Sequence, residues 1–326
     1  MKKIRWGILS SAKIGTEKVI PAMQQSGTGE IQALASRSHE TAKKICGELG
    51  IPKSYGSYEE LLADPEIDAV YNPLPNHLHV PWTIEAARSG KHVLCEKPMA
   101  TTTSDARAFI KTAEENGKIL AVAYQRHGEG KFIRAREMIR NGVIGDVRLV
   151  HVIIAQDCLG IFQPGASWRA DPALSGGGHF MDTGSHINDI LLWTTGLEPK
   201  QVHAFIGEEG TQVDVNTSIS VEFANGAVGS LSYTSQSPEW REEFTFYGSE
   251  GVMRFGAAEP LMVHRKGEDI ILPRAASGGK SPAQNFIDAI QGHAAVQAPP
   301  ICGLRVAQLT EAAYASAKSG KSEPVG

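Results

Sequence analysis

Four cysteines in 326 residues (Cys46, Cys95, Cys158 and Cys302) stand far apart, with no CxxC and no repeated spacing. That scarcity excludes a disulfide framework and a thiolate metal centre, both of which need clustered cysteines. Charge of one sign is also lacking. A formal net charge of -4, from 32 basic and 36 acidic residues, gives no field that would draw the whole molecule to nucleic acid or an acidic membrane. No apolar run approaches the ~18–20 residues of a membrane span, and Met1-Lys2-Lys3-Ile4-Arg5 turns at once into a strand-like pattern. Internal repeats and low-complexity tracts are absent. What remains is an ordinary globular composition, 41% hydrophobic and 21% charged, in a chain long enough for two domains. The expectation is a soluble, cytoplasmic chain with neither nucleic-acid nor membrane partners.

Two rhythms divide the sequence. Up to about residue 123, short apolar runs alternate with helix-like stretches. Strands are expected at Ile4–Leu9, Ile31–Ser36, Lys53–Tyr55, Asp68–Asn72, His92–Glu96 and Ile119–Ala123. Helices are expected at 14–25, 39–49, 58–62, 76–89 and 104–116. This order predicts a doubly wound parallel sheet of Rossmann type. After a helix over 130–141 the pattern changes to consecutive strands: 147–155, 202–206, 217–223, 228–235, 243–247, 252–255 and 261–264, within a stretch reaching Leu272. Asn225-Gly226 between two of them is a hairpin signal, and strands without intervening helices predict a large, mostly antiparallel open sheet. Helices at 282–291 and 303–319 close the chain. The expected fold class is therefore α/β, with a dinucleotide-binding domain at 1–123 and an α+β substrate-binding and oligomerisation domain at 124–326. Alternating positions such as Ile219, Val221 and Phe223 can face only one side of a sheet. The other face is left to pair with a second subunit, so a homodimer or homotetramer is expected.

The first strand runs into Ser10-Ser11-Ala12-Lys13-Ile14-Gly15. A dinucleotide fingerprint would place glycines at Ser10, Ala12 and Gly15, because the turn must be tight and the backbone must approach a pyrophosphate at a helix N-terminus. Only the third is glycine; serine and alanine are the smallest substitutes. At the end of the second strand, where NAD-selecting sites carry a carboxylate for the ribose 2′-OH, the chain reads Ser36-Arg37-Ser38. Two hydroxyls and a guanidinium suit a 2′-phosphate instead, so NADP is expected over NAD.

The fifth strand ends in Cys95-Glu96-Lys97-Pro98, at the edge where ligands bind in doubly wound sheets. Further on, Gly176-Gly177-Gly178 precedes Asp182 and His186, which share a helix face at i, i+4. A histidine exchanges protons near neutral pH, and a neighbouring carboxylate can orient it. An ammonium beside an oxidised nicotinamide would have its proton affinity lowered. His179, Asp182 and His186 also fall at i, i+3, i+7, but nicotinamide chemistry with a lysine needs no metal, and none is expected. Arg126, after the sixth strand, and Trp168-Arg169 are the candidates for substrate contact, since an indole stacks on a sugar ring and a guanidinium donates to hydroxyls.

Strand-Glu96-Lys97-Pro98, preceded by Asn72-Pro73 and Pro75-Asn76-His77-Leu78-His79, resembles the Gfo/Idh/MocA oxidoreductases, and the resemblance runs over essentially the whole chain. It implies Lys97, Asp182 and His186 in catalysis, with Pro73, Leu74, Asn76, His79 and Glu96 joining Ser10 to Ile14 around the cofactor. The implied activity is hydride transfer between a nicotinamide and a carbinol or carbonyl carbon of a sugar or polyol. Two alternatives share the fold: a reductase of a non-sugar carbonyl and a non-catalytic dinucleotide sensor. The latter would have no use for a proton relay.

Overall fold

A computed structural model describes residues 3–27, 29–257, 259–265, 267, 270–271 and 278–326; Met1, Lys2 and Leu272 of the reading above lie outside them. The chain divides into two compact units, 1–125 with 280–304 and 126–279 with 305–326. That division differs from a single cut after residue 123.

The first unit is built on strands β1 (Arg5–Leu9), β2 (Glu30–Ala35), β3 (Lys53–Tyr55), β4 (Ala69–Asn72), β5 (His92–Cys95) and β6 (Leu120–Val122). They lie in the order β3-β2-β1-β4-β5-β6, all parallel. The crossover helices begin and end on side-chain signals. Ser38, Ser57 and Thr102 accept backbone N–H bonds at three N-termini, and Gly27, Gly50 and Gly117 close C-termini in the left-handed conformation. The helix Pro282–Ile290 returns to this unit because its apolar face has its burial partners there. Phe286 is fully buried with its ring 5.4 Å from Trp6, and Ala283 and Ile287 join the same core. A fully buried side chain of this size contributes about 1.5–3 kcal/mol, enough to override sequence distance.

The second unit carries a nine-stranded sheet made of β7 (Val147–Asp157), β8 (Pro199–Gly207), β9 (Asn216–Phe223), β10 (Val228–Thr234), β11 (Gln236–Gly248), β12 (Gly251–Gly256), β13 (Met262–Arg265), β14 (Ile270–Ile271) and β15 (Glu323–Pro324). Their order is β14-β13-β12-β11-β7-β10-β9-β8-β15, antiparallel except where β10 runs parallel to β7. Inward residues such as Val152, Ile219, Leu231, Phe244 and Phe246 pack with Phe180, Ile187, Ile190 and Leu191 of the helix His179–Thr195, and with Leu309 and Ala313. That helix lies on one face of the sheet, and its position depends on how its N-terminus is held. Among the described residues, no helix is long and apolar enough to cross a membrane.

Candidate active site

The turn after β1 places Ser10 at φ +119°, a backbone region that glycine enters freely and other residues hold at a cost of about 1–3 kcal/mol. The strain falls where the first fingerprint glycine would stand. Ser10 N donates to Ala35 O on β2 at 3.0 Å, and its Oγ accepts from Ala12 N at 2.9 Å, so the hydroxyl proton remains to donate. Ser11 and Ala12 are half-buried and Lys13 is exposed. The helix begins as a π-turn over Ile14–Val19 before becoming α-helical at Ile20, and Ile14 is 43% exposed. Gly15 is less demanding than the fingerprint implies. A Cβ there would meet Pro73 Cγ at 3.6 Å and Tyr71 Cε1 at 3.7 Å, ordinary van der Waals contacts. We expect Ser10→Gly to stay within about 1 kcal/mol of the parent, because relieved strain offsets the lost hydrogen bond and added chain entropy. Ser10→Val should cost about 2 kcal/mol or more, since a β-branched side chain cannot hold this φ. Urea unfolding of both variants checks the pair.

At the end of β2, Ser36 Oγ accepts from Ser38 N at 3.4 Å, and Ser38 Oγ caps the helix His39–Leu49 by accepting from Thr41 N at 3.3 Å. Both hydroxyls act as acceptors, which leaves each O–H able to donate outward. Arg37 between them is exposed and holds no ion pair among the described residues.

Pro73, Leu74 and Asn76 are buried beyond β4. His79 is engaged within the loops themselves. Its Nδ1 lies 2.7 Å from Pro98 O and its Nε2 2.6 Å from Leu74 O, and burial drives its pKa down to about 4 despite the two carbonyls. The neutral ring has one N–H and donates to one of these carbonyls, which sets His79 between the β4 loop and the segment after Lys97. The Lys97–Pro98 peptide is cis. Lys97 is half-buried just past β5, and its backbone N donates to Glu96 Oε2 at 3.3 Å. Glu96 Oε1 accepts from the fully buried Tyr71 phenol at 2.6 Å. From Glu96 a crevice of about 300 Å³ runs along the first helix, lined by Ile14, Lys18, Ala22, Met23 and Ser26 of that helix, by Tyr71, Leu94, Glu96, Ala123 and Gln125, and by Ser281, Pro282 and Ala283. The strained turn and the helix start fit a dinucleotide laid over the carboxyl ends of these strands.

In the second unit, Gly177 and Gly178 are required by close approach. A Cβ on Gly178 would lie 1.9 Å from Asp214 O, and one on Gly177, at φ +157°, 2.1 Å from Tyr314 Oη. Asp214, buried just before β9, caps the helix His179–Thr195. Its Oδ1 accepts from Gly178 N at 2.7 Å and from Tyr314 Oη–H at 2.6 Å, and its Oδ2 from Phe180 N at 2.6 Å. The helix so anchored carries Asp182 and His186 one turn apart, both half-buried. Asp182 Oδ2 accepts from Arg169 Nε at 2.9 Å, and the Arg169 guanidinium lies 4.4 Å from the centre of the Trp168 ring. Trp168, Arg169 and Asp182 thus form one linked group, held at its start by Ser167 Oγ accepting from Arg169 N.

Two further residues are held by partners of their own within the second unit. Arg126 donates to the buried Glu242 at 2.5 Å; although burial opposes the charged form, Arg126 and Lys131 together hold the Glu242 carboxyl below its usual range. Arg126 thereby ties the segment after β6 to β11. His179 is fully buried with Nε2 on Gln156 Oε1 at 2.7 Å, and burial lowers its pKa to about 4, so it does not share an open face with Asp182 and His186. Reading by spacing missed Asp214, Gln156 and Tyr71. Only Asp214 left a trace, as a lone carboxylate between Val213 and Val215.

Two family models match the chain: "Oxidoreductase family, NAD-binding Rossmann fold" over residues 4–124 and "GFO/IDH/MocA C-terminal domain" over 132–254. The chain is 35% identical over 235 residues to a D-xylose 1-dehydrogenase (NADP(+)) of Haloferax volcanii, covering 72% of this chain and 70% of that protein. It is 33% identical over 257 residues to a 1,5-anhydro-D-fructose reductase of Ensifer adhaerens, covering 76% and 74%. Among solved structures, the aldose-aldose oxidoreductase of Caulobacter crescentus complexed with glycerol superposes with a TM-score of 0.88 at 26% identity, over 99% of this chain and 100% of that one.

Proposed function

Because the chain belongs to the Gfo/Idh/MocA oxidoreductase family, with an NAD-binding Rossmann fold at its N-terminus, we propose that it transfers hydride between NADP and a sugar or polyol carbon. The observation that carries this reading is the strained Ser10 turn at the mouth of the parallel sheet, with Glu96 and Lys97 just past the end of β5. A bound nicotinamide supplies the hydride acceptor or donor. The chain supplies position and proton transfer. Ser10 and the first helical N–H groups receive the pyrophosphate, while Ser36, Arg37 and Ser38 receive the 2′-phosphate. Lys97 Nζ and the His186 imidazole handle the hydroxyl proton of the reacting carbinol, and the Asp182 carboxylate, steadied by Arg169, orients the substrate hydroxyls. Trp168 offers its ring face to the sugar.

The relatives' names support both directions, oxidation of an aldose and reduction of a keto-sugar. A panel of aldoses, inositols and anhydro-sugars followed by reduced-cofactor absorbance tests the reading; silence across the panel with tight cofactor binding would favour the dinucleotide sensor instead. In the same assay, Arg37→Ala should raise KM for NADP+ by about tenfold or more and leave KM for NAD+ nearly unchanged, the scale of losing one charge-assisted contact to phosphate. Equal loss with both cofactors would assign Arg37 no part in the choice.

The proposal includes self-association. Val228, Leu149 and Tyr247 are cross-strand neighbours on β10, β7 and β11, each 40% exposed or more. A homodimer or homotetramer formed across this face would cover them.

A further inference from the structure

Tyr71 is a fully buried β4 residue whose ring already fills core space, so its hydroxyl is an addition that packing does not require. The hydroxyl donates to Glu96 Oε1 at 2.6 Å, and the Lys97 backbone N–H donates to Oε2 at 3.3 Å. Both carboxyl oxygens accept, which is the pattern of an ionised carboxylate. Glu96 N is tied to Asn72 O at 3.0 Å, so the backbone beneath the side chain is fixed as well. Glu96 stands just past the end of β5, where it lines the crevice with Tyr71 and Lys18, and Lys97 follows in sequence.

We propose that the Tyr71–Glu96 pair sets the preference of this site for oxidised over reduced nicotinamide. The inference rests on the cofactor reading above. An oxidised nicotinamide ring carries a positive charge and a reduced ring is neutral, while the rest of the two cofactors is the same. A carboxylate held in place at the end of β5 attracts the oxidised form and is nearly indifferent to the reduced one. Contacts to the pyrophosphate and 2′-phosphate cancel in the ratio of affinities; the Glu96 contribution does not. Holding the oxidised cofactor more tightly shifts the bound equilibrium towards the reduced substrate, which favours carbonyl reduction on the protein. Tyr71 acts through Glu96 and is a positioning residue: without its hydroxyl the carboxylate can swing towards water and lose part of its effect.

The test is calorimetric titration of the full chain with NADP+ and, separately, with NADPH, for the parent, Glu96→Gln and Tyr71→Phe. In E96Q the NADP+ dissociation constant is expected to rise about tenfold while that of NADPH changes by less than about threefold, the low end of what a fixed opposite charge does to a neighbouring charged group. In Y71F the same ratio should shift by about threefold in the same direction, as a weakened form of the same electrostatic effect. A merely structural role would weaken both forms equally, and an unchanged ratio in both variants overturns the proposal. If E96Q does not fold, an unchanged ratio in Y71F overturns it alone. Failure of the parent chain to bind either form overturns the cofactor reading itself, a separate result from tight binding with an unaltered ratio.

Discussion

Lys97→Ala is expected to lower turnover by at least ~100-fold while the NADP+ dissociation constant stays within about threefold of the parent value, as read by steady-state kinetics paired with direct titration. The expectation follows from where the residue stands. Lys97 comes directly after β5, half-buried, with Glu96 before it and a buried Pro98 after it. Removing its side chain leaves the backbone bond from Lys97 N to Glu96 in place. Neither the Ser10 turn nor the Arg37 loop is touched, so the proposed pyrophosphate and 2′-phosphate contacts, which carry most of the cofactor affinity, stay in place. Loss of the ammonium removes a proton carrier and a polarising charge, and that loss appears in kcat. If Lys97 and His186 serve one step, Lys97→Ala combined with His186→Asn costs little more than the worse single variant, because residues acting as a unit are not additive. Near-normal turnover in Lys97→Ala would remove lysine from the mechanism.

The second large effect concerns stability. Asp214→Ala should cost about 3–5 kcal/mol, read from the urea midpoint, because three donors (Gly178 N, Phe180 N and Tyr314 Oη–H) lose a buried acceptor together. Asp214→Asn keeps the shape and loses the charge, so it should fall between parent and alanine variant. Activity is expected to fall with it, since the helix His179–Thr195 presents Asp182 and His186 from a start that Asp214 fixes. Gly178→Ala should damage the same joint by collision with Asp214 O. A variant at Asp214 with parental stability would show that the helix is held elsewhere.

Much of the first unit was legible because a parallel sheet with crossover helices writes its pattern locally. The helix His39–Leu49 and the strand Lys53–Tyr55 have the bounds that capping residues and apolar spacing predict. The π-turn at Ile14 was not legible; nothing in Ile14–Val19 distinguishes it from the first turn of an α-helix. In the second unit the antiparallel sheet was expected, but the parallel seam between β7 and β10 joins strands some eighty residues apart, beyond the reach of turn chemistry. The helix Pro282–Ile290 was assigned by sequence order to the second domain and lies in the first, because burial against Trp6 outweighs chain proximity.

The site divided in the same way. Ser10 could be found because a tight turn was sought and the smallest residues stood there, and the positive φ is the physical sign of that substitution. The i, i+4 spacing of Asp182 and His186 gave their shared helix, while the Arg169 partner of Asp182 came from a separate loop. Tyr71 and Asp214 stayed hidden because their meaning lies in a hydrogen bond to a distant residue, and a buried tyrosine in a strand reads as core.

Incubation of the chain with NADP+ and D-xylose, D-glucose or an anhydro-sugar, each deuterated at all of its carbinol carbons, followed by mass and NMR analysis of the nucleotide, addresses the proposed hydride transfer most directly. The account predicts deuterium on C4 of the reduced nicotinamide with at least one of these sugars, and its loss in Lys97→Ala. Tight cofactor binding with no deuterium transferred from any of them would contradict it.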